Sequence, residues 1–231
     1  MTDTAAGTAG ALSAATLTVF GAAQSPDDVY VYTDKFSKLA NGSPRPATLA
    51  EAGGTDTINA AAVTTSVTID LAPGATSTIA GHALQIAAGT VFETAIGGNG
   101  ADKLVGNEAN NVLFGRRGHD TLLGGDDDDA LVGGPGSDFV DGGAGNDVAL
   151  FAGANSVASR GAKGEMILTS HDGEVDTLVN VERIAFTNAT LALDNDAGTG
   201  QIFRLSHAAL DRTPETQGLS GWVKAADQAP P

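Results

Sequence analysis

The sequence predicts a mainly β fold: a right-handed parallel roll of short stacked strands, β-rich caps at both ends, and a short helical C-terminal tail. Three observations predict it. First, six consecutive nine-residue repeats run unbroken from Gly97 to Leu150. Each opens on Gly (97, 106, 115, 124, 133, 142). Asp or Asn follows five residues on, as Asp102, Asn111, Asp120, Asp129, Asp138 and Asp147. Two residues later comes Leu104, Leu113, Leu122, Leu131, Val140 or Ala149. Second, alternating β-type segments flank the repeats on both sides. Third, the apolar period changes from two to about 3.6 after residue 200.

The repeat has a physical logic. Its Leu- or Val-centred segment is too short to bury an apolar face alone, so copies must stack. Glycine supplies the crowded or positive-φ positions of a tight turn. Asp supplies a hard anionic oxygen, and inward-facing carbonyls add neutral ones, a combination suited to Ca²⁺. A flexible Gly- and Asp-rich linker would have no reason to keep six glycines, six Asp or Asn and six apolar residues in one register. The cleanest copies, GGNGADKLV, GGPGSDFVD and GGAGNDVAL, resemble the GGxGxDxUx repeat of RTX (hemolysin-type) proteins, a calcium-binding parallel roll. That resemblance implies two repeats per coil, so residues n and n+18 stack about 4.8 Å apart. One edge then carries Asp102, Asp120 and Asp138; the other carries Asn111, Asp129 and Asp147.

Residues 97–150 hold ten acids and three bases, a net charge of −7, including the run Asp126 to Asp129. Such a segment repels itself without counter-ions. About four Ca²⁺ would nearly cancel it, so folding and calcium binding are expected to be one event. The whole chain of 231 residues carries −16, which argues against nucleic acid and anionic membranes as partners. There is no cysteine, which excludes disulfides and thiol chemistry. No apolar run reaches the ~20 residues of a membrane span. The first base is Lys35, so no Sec-type signal is read at the N-terminus.

Along the chain, residues 1–26 are rich in Ala, Thr and Gly and read as loose. Residues 27–96 read as an N-terminal β cap. Strands are expected at Val29–Tyr32, at Ser66–Leu71, where Ala72-Pro73-Gly74 ends the run, and at Ala83–Ala88. Residues 97–150 are the six nonapeptides. Residues 151–196 read as a C-terminal β cap. Here Glu165–Thr169 and Val175–Val179 flank an Asp172-Gly173 hairpin turn, and Val181–Phe186 and Thr190–Leu193 follow. Residues 197–231 form the tail. Ile202, Leu205 and Ala209 fall on one helical face, Thr213-Pro214 starts a second helix, and Leu219, Trp222, Val223 and Ala226 make its stripe.

From about residue 51 to 194 the chain resembles the C-terminal domain of serralysin-type secreted metalloproteases. The carriers are EAGGTDTINAA, VTIDLAPGA, IAAGTVFETAIGGNGADKLVGNEANNVLFG and DTLVNVERIAF. The resemblance implies several structural Ca²⁺ and export by a type I (ABC transporter) route. It also implies the ligands. One ion would use Gly98, Gly100 and Asp102 with Gly115, Arg117 and Asp120. A second would use Arg116, Gly118 and Asp120 with Gly133, Pro135 and Asp138. On the other edge, Asn107, Ala109 and Asn111 would meet Gly124, Asp126 and Asp129. Then Gly125, Asp127 and Asp129 would meet Gly142, Ala144 and Asp147. Ions before the roll would use Glu51, Gly53, Gly54, Asp56, Glu93 and the Val91 carbonyl. Ala109 and Asp127 replace turn glycines, Arg116 and Arg117 offer only carbonyls, and Asn111 lowers the charge of its site. Residues 198–227, through QIFRLSHAALDRTPETQGLSGWV, resemble the start of a small helical domain found downstream of such repeats.

Catalytic signatures are missing. The histidines at 82, 119, 171 and 207 form no HExxH, so the usual zinc protease site cannot be built. Gly218-Leu219-Ser220-Gly221 falls one residue short of a nucleophile elbow. The register makes Asp126 to Asp129 turn and ligand residues rather than a glycosidase acid pair. Asp194-Asn195-Asp196 lacks the glycine and glutamate of an EF-hand. The expectation is therefore a non-catalytic, secreted, extracellular calcium-binding module that folds on Ca²⁺ after type I export. Two other readings stand beside it. One is a surface-layer or adhesion component that self-associates. The other is the accessory module of a protease, lipase or polysaccharide epimerase whose catalytic domain lies outside this chain.

Overall fold

The computed structural model describes residues 27–36, 47–51, 53–151, 157–170 and 172–186, with the backbone of strands at 189–193 and 203–205. Ahead of the repeats lie β1 (Val29–Thr33), β2 (Ala47–Leu49), β3 (Thr57–Ala62), β4 (Thr68–Asp70), β5 (Thr76–Ile79), β6 (His82–Ile86) and β7 (Thr94–Ile96). The repeats form β8 (Lys103–Val105), β9 (Val112–Phe114), β10 (Thr121–Asp126), β11 (Ala130–Val132), β12 (Phe139–Ala144) and β13 (Val148–Phe151). After them come β14 (Val157–Arg160), β15 (Met166–Thr169), β16 (Val175–Val179), β17 (Arg183–Phe186), β18 (Ala189–Leu193) and β19 (Phe203–Leu205).

Successive repeats alternate between two walls. One wall runs β1-β3-β7-β9-β11-β13-β17-β18-β19, the other β14-β15-β16-β12-β10-β8-β4-β5-β6-β2. Repeat strands pair in parallel at the expected eighteen-residue offset: Leu104 faces Leu122, which faces Val140, and Leu113 faces Leu131, which faces Ala149. Parallel stacking gives way to antiparallel pairing at both ends, through β4–β5–β6 at one and β14–β15–β16 and β17–β18 at the other. The register outlives the repeat: Ile69 precedes Leu104 and Leu178 follows Val140, while Ile58 and Ala95 precede Leu113 and Ile184 follows Ala149. Every residue of these two columns is buried. Each repeat strand buries one apolar side chain, so the core of the repeats is a stack of single residues, one per strand.

One sequence expectation is corrected. Within the stretch read as helical, Phe203–Leu205 is a strand paired antiparallel with β18. Phe-Arg-Leu alternates as well as it fits a helical face, and short apolar runs do not separate the two periods. The remaining tail residues, residues 1–26 and His171 lie outside the described residues. Among the described residues, no helix is long and apolar enough to cross a membrane.

Candidate metal centres along the edges of the roll

Each nonapeptide turn places its first Gly and its Asp or Asn inside. Gly97, Gly106, Gly115, Gly124, Gly133 and Gly142 are buried, as are Asp102, Asn111, Asp120, Asp129, Asp138 and Asp147. The four-aspartate run splits accordingly: Asp126, Asp127 and Asp128 are exposed and Asp129 is buried. Arg116 and Arg117 also point outward, so only their backbones reach the turn.

The buried carboxylates form ladders. On one edge Asp120 Oδ1 accepts the Asp102 N–H at 2.8 Å, and Asp138 Oδ1 accepts that of Asp120 at 2.8 Å. On the other, Asp129 Oδ1 accepts from Asn111 at 2.7 Å and Asp147 Oδ1 from Asp129 at 2.9 Å. One oxygen per side chain is thus spent on tying neighbouring coils together. The second oxygen of Asp120, Asp129, Asp138 and Asp147 is buried with no hydrogen-bond partner.

Main-chain oxygens crowd the same places. A Cβ on Gly97 would lie 2.6 Å from Asp102 Oδ2 and 2.7 Å from the Gly115 carbonyl. A Cβ on Gly115 would meet Asp120 Oδ2 and lie 2.7 Å from the Gly133 carbonyl, and one on Gly124 would meet Asp129 Oδ2 and the Gly142 carbonyl. The carbonyls of Gly100, Arg116, Gly118, Asn107, Gly125 and Asp127 lie against the glycines one coil later: Gly118, Gly134, Gly136, Gly125, Gly143 and Gly145. The first glycine is required here because no side chain fits between those oxygens. The Pro135 carbonyl accepts the Gly118 N–H at 3.2 Å, and Ala144 sits opposite Asp126 in the parallel ladder.

Burial without a counter-charge disfavours ionisation. It raises Asp129 and Asp138 to about 7 and Asp120 and Asp147 to about 6, burial outweighing the backbone hydrogen bonds that pull the other way. Asp102 is raised too, for the same reason. Its Oδ2, however, accepts the Gly98 N–H at 2.6 Å and its Oδ1 that of Val67 at 2.8 Å.

The loop at 106–111 is built differently. Asn111 Oδ1 accepts the Asn107 N–H at 2.7 Å, while Asn111 Nδ2 donates to the Phe92 and Glu93 carbonyls at 3.3 Å each. Asn107 Nδ2 donates to the Phe92 and Leu71 carbonyls, and Asn107 Oδ1 accepts the Ala109 N–H at 2.9 Å. That side-chain turn replaces the missing glycine, since Ala109 is not among the residues of positive φ, whereas Arg116 and Asp127 are.

Ahead of the roll, carboxylate oxygens of Asp28, Glu51 and Asp56 lie within 4.8 Å of one another. Asp56 Oδ1 accepts the Asp28 N–H at 2.8 Å, and Glu93 Oε2 accepts that of Asp56 at 2.7 Å. Burial raises both Asp56 and Glu93. The glycines at 53 and 54 take φ of 119° and 130°, and Val91 is exposed. Sequence reading missed Asp28, the partner of the Glu51 loop. Its only signal was its place before the Val29–Tyr32 strand, as Asp56 stands before Thr57. It also missed Asp176, whose Oδ1 accepts the Asp138 N–H at 2.9 Å, and Glu182, whose Oε2 accepts that of Asp147 at 2.8 Å.

The arrangement can hold hard cations. It offers oxygen donors, several of them neutral carbonyls, and the second carboxylate oxygens of Asp120, Asp129, Asp138 and Asp147 lack any other partner. The family model described as peptidase M10 serralysin C terminal matches residues 15–210. Among curated proteins, none matches the chain.

Proposed function

The chain belongs to the peptidase M10 serralysin C-terminal family, and on that premise we propose that it is a non-catalytic calcium-binding roll, secreted by a type I route, that folds when it meets calcium outside the cell. The observation that carries this reading is the set of buried oxygens on Asp120, Asp129, Asp138 and Asp147 that have no hydrogen-bond partner. A buried polar atom left alone costs about 1–3 kcal/mol, more when charged, and four in one small roll call for a common remedy. A divalent cation between successive loops supplies it, neutralising two carboxylates and binding the surrounding carbonyls.

The residues that would hold the ions are those the repeat brings together. They are Asp102 with Asp120, Asp120 with Asp138, and Asp129 with Asp147, each with the carbonyls named above. Asn111 with Asp129 offers one charge fewer. Asp28, Glu51, Asp56 and Glu93 would serve the region before the roll. At the low calcium level of a cytosol the acidic roll stays open and competent for export. At roughly millimolar calcium, extracellular-type sites fill and binding free energy becomes folding free energy.

Far-UV circular dichroism of the chain, titrated with Ca²⁺ from a chelator and with Mg²⁺ as control, tests this. The expected result is a coil-to-β transition specific to Ca²⁺ near millimolar. A spectrum already β-rich in chelator and indifferent to Ca²⁺ overturns it. The family description favours one elaboration: such modules stand at the C terminus of a peptidase, so this chain serves as the accessory part of a larger secreted enzyme. Reading the complete open reading frame tests that, and an upstream zinc-protease signature is the expected finding.

A further inference from the structure

The six repeats sort their outward-facing turn charges by sign onto opposite edges. Turn segments 97–102, 115–120 and 133–138 form the edge of Asp102, Asp120 and Asp138. Besides those buried aspartates, its charged residues are Arg116 and Arg117, and both are exposed. Turn segments 106–111, 124–129 and 142–147 form the opposite edge. Its outward charges are Glu108, Asp126, Asp127 and Asp128, all exposed. No acid faces outward on the first edge, and no base stands on the second. The remaining charges of the repeats, Lys103 and Asp141, lie on the wall between them, in β8 and β12.

Hydrogen bonds between coils hold both rows in place. On the acidic edge the Asp128 N–H donates to Asn110 Oδ1 at 3.1 Å, and Asp128 Oδ1 accepts the Asn146 N–H at 2.8 Å. On the basic edge His119 Nδ1 accepts the Ser137 N–H at 2.9 Å, and Arg116 Nη1 donates to the Ala61 carbonyl at 3.4 Å. The charges therefore stand at fixed heights along the roll. Arg116 and Arg117 also share one coil with Asp126, Asp127 and Asp128, joined to them through β10. Opposite charges thus lie at the same level on opposite sides of the molecule.

A second copy moved sideways without rotation would set Arg116 and Arg117 of one roll against Asp126, Asp127 and Asp128 of the next, with Glu108 one coil away. We propose that the chain binds further copies of itself edge to edge through these two charged rows. A chain of net charge −16 repels its copies in most orientations, and this contact is one in which opposite charges meet. Each copy contributes a different edge, so the contact is heterologous and leaves one basic and one acidic edge free at the ends. Addition continues into a flat ribbon and does not stop at a dimer. Exposed ion pairs are individually weak and salt screens them, so the ribbon is reversible. The proposal requires a folded roll but not that ions fold it. Calcium on the buried aspartates, as read above, lowers the repulsion between copies.

Analytical ultracentrifugation of the full chain in Ca²⁺, over a series of protein concentrations, tests this, with circular dichroism of each sample reporting the fold. At low salt the average mass should climb with concentration past the dimer. It should return to the monomer in about 1 M salt, where charges reach about 3 Å instead of the roughly 10 Å of about 0.1 M. Arg116→Glu with Arg117→Glu, and separately Glu108→Lys with Asp126→Lys, should each stay monomeric where the unaltered chain assembles. An equal mixture of the two variants should assemble again, because each then meets a complementary edge. A folded chain that is monomeric at every concentration overturns the proposal, as does assembly that survives the charge reversals or the salt. Should a reversed variant fail to fold, Arg117→Gln and Asp126→Asn take its place; each should lower the mass at a given concentration, and an unchanged mass overturns the proposal. A chain equally folded with and without Ca²⁺ sinks the calcium reading and leaves this one to be decided by the same masses.

Discussion

Along one edge of the roll the carboxylates run unbroken from Asp102 through Asp120 and Asp138 to Asp176, each accepting the backbone N–H of the one before. Along the other, Asn111 interrupts the column between Glu93 and Asp129. The interruption exchanges one kind of cement for another. Asn111 and Asn107 each carry an amide that donates hydrogens, and these reach the carbonyls of Leu71, Phe92 and Glu93 directly. A carboxylate in the same place could only accept, and would face those carbonyl oxygens with a cation between them or with nothing. The join between the region before the roll and this edge is therefore made by hydrogen bonds that need no metal, while the later coils keep buried carboxylate oxygens without a hydrogen-bond partner.

Removing Asp129 should damage this arrangement most. Its Oδ1 holds the Asn111 N–H, and its Oδ2 lies in a gap shared with the Gly142 carbonyl. It thus belongs to two successive loop pairs. Asp129→Ala should raise the calcium concentration at the midpoint of the dichroism transition by about tenfold or more, or ~1.4 kcal/mol, and leave a buried N–H unpaired at about 1–3 kcal/mol. An unchanged midpoint would remove Asp129 from the sites. Asp102→Ala should do less, because the Asp102 carboxylate already has two backbone donors, Val67 and Gly98.

The second test converts one edge into the other. Asn111→Asp restores a charge to the ladder but removes the amide that binds the Phe92 and Glu93 carbonyls. It also sets a carboxylate toward Glu93, whose own pKa burial already raises. At limiting Ca²⁺ the fold should lose about 1–3 kcal/mol, and saturating Ca²⁺ should recover more than it does in the unaltered chain. Thermal melts at limiting and at saturating Ca²⁺ would show the gap between the two widening. A gap that stays the same, or narrows, would mean that the amide is not a substitute for an ion.

The repeat core and its edges were legible in the sequence because their spacing is local. Leu104, Leu122 and Val140, or Asp102, Asp120 and Asp138, are eighteen residues apart, and periodicity alone puts them in columns. Periodicity is silent where the chain leaves the coil and returns. Asp176 and Glu182 rejoin the columns after detours of 38 and 35 residues, and Asp28 meets Asp56 from 28 residues away. Nothing in the spacing marks those distances, since β14 and β15 can vary in length without moving the strand that rejoins. The same limit explains the tail, where Phe203–Leu205 had three residues to declare a period and joined the nearest open edge, β18.

Acidity should affect the two edges alike, which makes it a control for the exchange at Asn111. Each edge holds one aspartate raised to about 7 and one raised to about 6, by burial first and neighbouring carboxylates second. Unfolded aspartate titrates near ~3.9, so the metal-free fold binds more protons than the unfolded chain between that value and neutrality. Its stability therefore rises as pH falls through this window and is lost as pH rises through the folded values. In metal-free buffer the far-UV β signal should be stronger at pH 5 than at pH 8. With Ca²⁺ present the slope should reverse, because protons compete with the ion for the same oxygens. Parallel slopes in the two conditions would mean that the buried aspartates are not where calcium acts.

Within the repeats the smallest effects lie at the two non-glycine residues that take glycine's conformation, one on each edge. Arg116 has φ of 81° and Asp127 φ of 65°. Replacing either with Gly relieves about 1 kcal/mol of left-handed strain, and the looser unfolded chain takes back roughly 0.4–1 kcal/mol. The conformational balance is thus near zero at both positions, and charge decides the sign. Asp127 stands beside Asp129 and helps to raise it, so Asp127→Gly lessens repulsion in a roll of net charge −7. Arg116 is one of only three bases in that roll, and its Nη1 donates to the Ala61 carbonyl at 3.4 Å. At limiting Ca²⁺ Asp127→Gly should therefore melt higher than the unaltered chain and Arg116→Gly lower. Saturating calcium should shrink the difference, since the ions then neutralise the roll. If both variants shift the melt equally, backbone strain rather than charge governs these turns.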